Sequence, residues 1–173
     1  MRFIKLAILS FIFLFLLVTV ISLFVPSNVR ISRATDINAT KQVVMSFLAD
    51  PLRWKEWYPG GDSLDILYIE GNPRGLIIDS VFHGIEVTSV TDSVVTATDV
   101  GLGVRQTMET GWKVLSGDNE NNVTVQWYMD FKLRWYPWEK FKSLFFENIY
   151  GAHLEQGLAN LKAVSEGRRS SFN

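Results

Sequence analysis

Asn122-Val-Thr-Val-Gln-Trp-Tyr-Met-Asp-Phe-Lys-Leu-Arg134, with the helical register that follows it to Glu166, decides the fold of this chain. Val123, Val125, Trp127, Met129, Phe131 and Leu133 occupy every second position, with Thr124, Gln126, Tyr128, Asp130, Lys132 and Arg134 between them. That alternation specifies a long strand with one buried and one wet face. After Tyr136-Pro137 the period changes. Tyr150, Leu154, Leu158 and Leu161 fall on one helical stripe, flanked by Phe146, His153, Gly157 and Val164, while Glu155, Asn160 and Lys162 are expected to point away. A one-faced sheet and a long amphipathic helix must cover each other.

Upstream, Val29 to Ile37 reads as a first strand, with Val29, Ile31 and Arg33 on one face. Asn38 or Thr40 then caps a short helix over Lys41 to Ala49, and Asp50-Pro51 starts a second one carrying Trp54 and Trp57. From Leu64 to Glu70, Leu76 to Phe82, Ile85 to Thr91, Val94 to Asp99 and Arg105 to Leu115 come short runs rich in Val, Ile and Thr. Gly71–Gly75, His83-Gly84, Thr91–Ser93, Gly101–Gly103 and Gly117–Asn122 separate them as hairpin connections. The expected fold is therefore α+β: a seven-stranded antiparallel sheet curled around one long C-terminal helix, with two short helices after the first strand. One helix is too narrow to fill that trough, so a cavity is expected beneath it.

Leu6 to Val25 is an uncharged run long enough for the roughly 30 Å hydrocarbon core of a bilayer. It exceeds a signal-peptide h-region and offers no small-x-small cleavage site before Pro26. We read residues 1–27 as an uncleaved anchor, 28–166 as the folded domain and 167–173 as a disordered tail. Arg2 and Lys5 precede the run more closely than Arg30 and Arg33 follow it. The positive-inside bias then places the domain on the far side, periplasmic or extracellular for a single-pass protein of a bacterial inner membrane.

A net charge of −1 over 173 residues gives no basic face for nucleic acid. The chain has no cysteine, which excludes disulfides, thiol nucleophiles and Cys-ligated zinc. His83, Glu147 and His153 lack metal-ligand spacing, and Gly101-x-Gly103 precedes a strand rather than a helix, so neither a metal nor a nucleotide cofactor is expected.

Four stretches in order carry a family resemblance: Arg30-Ile-Ser-Arg-Ala-Thr-Asp-Ile-Asn38, Phe47-Leu-Ala-Asp50 with Trp54-Lys-Glu-Trp57, Glu109-Thr-Gly-Trp112, and Glu155-Gln-Gly-Leu-Ala-Asn-Leu-Lys162. Over residues 28–166 the chain resembles the SRPBCC or START-like superfamily, the helix-grip fold of polyketide cyclase/dehydrase-like and lipid-transfer proteins, in its membrane-anchored bacterial layout. The resemblance implies a hydrophobic cavity between sheet and helix and leaves the activity open.

The inward positions supply a candidate lining for an apolar small molecule or lipid: Trp112, Trp127, Met129, Phe131, Tyr150, His153, Leu154 and Leu158, with Trp57 and Tyr68 at the rim. The same large side chains could instead fill the space as core. Tyr150 and His153 need polar partners there, whether a ligand or neighbouring residues. Glu147 reads as a first-turn acid favoured by the helix dipole, or with Tyr150 and His153 as a proton-transfer set. Three functions follow: a tethered binder of an apolar molecule, a cyclase- or dehydratase-like enzyme, or a partner-binding domain with a collapsed cavity. Trp135-Tyr-Pro-Trp138 reads as packing at the helix entry or as contact with the bilayer interface.

Overall fold

The structure, a computed structural model, describes residues 2–79, 83–101, 108–117, 119 and 121–167. Helix α1 (Arg2–Leu23) is followed by β1 (Asn28–Ile37), α2 (Lys41–Ala49), 3₁₀ turns at Pro51–Glu56 and Gly61–Ser63, and β2 (Asp65–Ile69). Then come β3 (Asn72–Asp79), β4 (His83–Val90), β5 (Val94–Val100), β6 (Met108–Ser116), β7 (Val123–Lys132), α3 (Pro137–Ser143) and α4 (Phe146–Ser165). The expected segments at 80–82, 102–107 and 168–173 lie outside the described residues.

The seven strands form one antiparallel sheet in the order β1-β7-β6-β5-β4-β3-β2. β7 alternates as its sequence demands, with Val123, Val125, Trp127, Met129 and Phe131 buried. It pairs along its whole length with β1, from Asn28↔Lys132 to Ile37↔Val123. Helix α4 lies over β1 and β7, and the 3₁₀ turn at Pro51–Glu56 covers β3. One helix thus grips one side of a curled sheet.

Four expectations are corrected. The second short helix is a 3₁₀ turn, with Asp50 Oδ1 accepting from Leu52 N–H at 3.0 Å. The loop expected over Gly71–Gly75 is a two-residue turn, because Glu70 (φ 52°) and Gly71 (φ 79°) both adopt the left-handed region that matches hairpin twist. Pro73 therefore enters β3, and a bulge at its pairing with the edge strand β2 accommodates it. The C-terminal helix breaks at Leu144–Phe145 into α3 and α4.

The fourth correction is Asn160. It is buried rather than outward, and its Nδ2 donates to the Trp57 carbonyl at 3.2 Å. Spaced three residues beyond Gly157, it sits on the buried stripe, and its amide satisfies a backbone acceptor the core would otherwise strand.

Gly157 fixes how closely α4 approaches the sheet. A β-carbon there would lie 2.2 Å from Trp127 Cζ3 and 3.1 Å from Pro59 Cδ. Alanine is intrinsically better in a helix by about 0.5–1 kcal/mol. Overpacking a rigid buried indole costs about 1–3 kcal/mol and wins. Gly157→Ala is expected to lower the unfolding free energy in denaturant titration; an increase would mean that α4 can move away from β7 freely.

Candidate functional site: two aromatic clusters beneath the long helix

The interior divides into two halves along the strands. One half is packed solid by aromatic rings. Trp127 meets Trp57 at 5.9 Å, Tyr58 at 5.6 Å, Trp112 at 5.4 Å and His153 at 5.6 Å between centroids. Trp54 closes the cluster at 5.1 Å from Trp112. Trp57, Trp112, Trp127, Leu154 and Leu158 are each at most 2% exposed.

Polar atoms in this half are mostly satisfied internally. Trp54 Nε1–H donates to Leu48 O at 2.8 Å and Trp57 Nε1–H to Phe47 O at 3.1 Å, so the Trp-x-x-Trp pair ties down the carboxyl end of α2. Trp127 Nε1–H donates to Thr110 Oγ1 at 2.7 Å, and that hydroxyl donates to Tyr128 O. Trp112 Nε1 is buried with no acceptor among the described residues.

The other half holds a separate ring cluster. Phe131 meets Phe146 at 4.6 Å and Tyr150 at 4.9 Å. Tyr150, Met108 and Leu133 are half-buried and pack at the edge of the core. Asp99 follows buried Ala97 by two residues on β5 and pairs with buried Ile85, so it faces inward too. Its Oδ1 accepts from Met108 N–H at 3.3 Å. Burial and, second, the Asp99 carboxylate push the Tyr150 phenol above its ordinary pKa.

The three expected proton-transfer residues have different surroundings. Glu147, expected as a desolvated carboxylate in its functional reading, is exposed and ion-paired to Arg33. Arg33 Nε also donates to Glu155 Oε1 at 2.6 Å, its guanidinium lying across Gly151 between the two acids. Glu147 is in the first turn of α4, as the dipole argument requires. Tyr150 lies in the Phe131 cluster and His153 against Tyr58 and Trp127. No hydrogen bond links the three among the described residues. Tyr68 is exposed on the edge strand β2, and Met129 is buried at 3%. The sequence reading put Thr110 on one strand face with Met108, Trp112 and Val114, and it is buried there; it missed Asp99 as a polar group of the interior, for which alternation from Ala97 was the available signal.

These features define a helix-grip domain with an aromatic interior. The chain belongs to the family described as polyketide cyclase/dehydrase and lipid transport, whose family model matches residues 28–166. None of the curated proteins matches the sequence. Solved structures share the fold at low identity. The Zhui aromatase/cyclase from Streptomyces sp. R1128 is 15% identical with a TM-score of 0.56, covering 80% of this chain and 94% of its own. A Thermobifida fusca protein is 13% identical with a TM-score of 0.58, covering 83% and 99%. The Bacillus cereus protein XoxI is 15% identical with a TM-score of 0.56, covering 79% and 94%.

Burial lowers the His153 pKa, so folding favours the neutral imidazole. The unfolded chain takes up its proton below about pH 6.5, before the folded one does. His153 thus leaves stability intact above that pH and subtracts from it as pH falls. Thermal melts of His153→Phe and the parent should diverge between about pH 7.5 and pH 5.5, the variant losing less. Parallel curves would mean that the imidazole is solvated.

Proposed function

We propose that this protein is a membrane-tethered binder of an apolar small molecule or lipid, held in the half of the interior lined by Phe131, Phe146, Tyr150 and Met108. The separation of the interior into two ring clusters carries the reading. Tryptophans occupy one end completely, while the other offers apolar rings with two polar groups, the Tyr150 phenol and the Asp99 carboxylate. That combination suits a ligand that is mostly hydrocarbon with one hydrogen-bonding end. Family membership and the aromatase/cyclase fold relatives support a hydrophobic guest.

The tether is α1, whose segment Phe3–Leu23 is long and apolar enough to cross a membrane and is almost wholly exposed. Arg2 and Lys5 favour a cytoplasmic amino terminus, which puts the domain on the periplasmic or extracellular side. The binding role draws more support than the enzymatic one, because Glu147 is engaged by Arg33 outside the interior. We read the long inward side chains Trp57, Trp112, Trp127, Leu154 and Leu158 as the floor of the site and Phe131 and Tyr150 as its walls.

Native mass spectrometry of the full chain, released from detergent, tests this. A retained adduct of lipid or apolar metabolite is expected, and Met108→Trp, which adds bulk at the proposed site, should lose it while lipid on α1 stays. An adduct indifferent to Met108→Trp, or none at all, would contradict the proposal.

A further inference from the structure

The strand register gives the two halves of the interior a direction relative to α1. β1 begins at Asn28, immediately after α1, and Asn28 pairs with Lys132 at the last residue of β7. Phe131, Met108, Asp99 and the first turns of α4 are therefore at the end nearest α1, and Ile37 and Val123 at the far end. The Phe131–Tyr150 half faces α1.

The same end carries an exposed apolar corner. Helix α3 packs against α1, where Ser22 is buried, and Lys140 Nζ donates to the Val25 carbonyl at 2.8 Å. Ser22 lies three residues before the end of the Leu6–Val25 run, about 5 Å inside it at helical rise. With α1 read as a tether, an element packed there sits at the depth of the headgroups. Trp135, Trp138, Leu144 and Phe145 are 62%, 61%, 62% and 62% exposed, with Tyr136 stacked on Trp138 at 4.8 Å. Beside them a cleft of about 230 Å³ is lined by Phe131, Phe146, Lys132, Arg134, Lys142 and Glu139. Residues 132–146 hold four cations and a single carboxylate, Glu139, whose Oε2 accepts from Arg134 N–H at 2.8 Å.

We propose that this corner is a second membrane contact, docking on anionic phospholipid with a headgroup seated in the cleft, so that the Phe131–Tyr150 half of the interior faces the bilayer. The inference rests on reading α1 as a tether. Exposed tryptophans beside cations have the chemistry of the bilayer interface, and clustered Lys and Arg select anionic lipid. The cleft shares Phe131 and Phe146 with the interior, which makes it the short way in for an acyl chain.

The test uses the full chain in phosphatidylcholine vesicles containing phosphatidylglycerol, with and without brominated acyl chains as tryptophan quenchers. Four of the six tryptophans are buried in the core, so Trp135 and Trp138 should carry the quenching. Trp135→Phe with Trp138→Phe should cut it about twofold or more. Quenching unchanged in that variant, or absent in a parent chain that floats with the vesicles, overturns the docking while leaving the tether standing. A chain that fails to float refutes the tether and the docking with it. Equal quenching without phosphatidylglycerol overturns the anionic headgroup.

Discussion

Everything in this fold is registered on the contact of the Trp127 indole with the bare backbone of Gly157. The indole occupies the space a β-carbon would need. Because the helix comes this close, His153, Leu154, Leu158 and Asn160 reach the tryptophan cluster, and Asn160 can take the Trp57 carbonyl. Trp54 and Trp57 in turn hold α2 by its last carbonyls. A rigid block results, built from rings that fill large volumes at low conformational cost.

The block explains why the interior is uneven. Four tryptophans and Tyr58 concentrate at one end, and the smaller rings of Phe131, Phe146 and Tyr150 at the other. α4 lies over β1 and β7. In the proposed reading, the tryptophan half positions the helix and the Phe131–Tyr150 half takes the guest. A ligand that partitions into lipid gains from an opening on the membrane side, because it need not cross water.

Much of this is written locally. Alternation across Val123–Leu133 and the Asp50-Pro51 stop are short-range signals, and both appear in the structure as β7 and the Pro51–Glu56 turn. Other features depend on partners distant in sequence. Asn160 looks like a solvent residue until the Trp57 carbonyl arrives from the other side of the fold. Glu147 looks like a candidate acid until Arg33 crosses Gly151 to pair with it. The tight turn at Glu70-Gly71 was hidden because glutamate seldom adopts a positive φ. Alternation assigned Trp127 and Tyr150 to the same interior, but only packing separated them into two clusters.

Photolabelling with a phospholipid bearing a diazirine near the middle of its acyl chain tests the proposed guest site most directly. Labelled full chain, digested and mapped, should carry label on peptides containing Phe131, Phe146 and Tyr150 as well as on α1. Label confined to α1, with the domain clean, would contradict a guest site beneath the long helix.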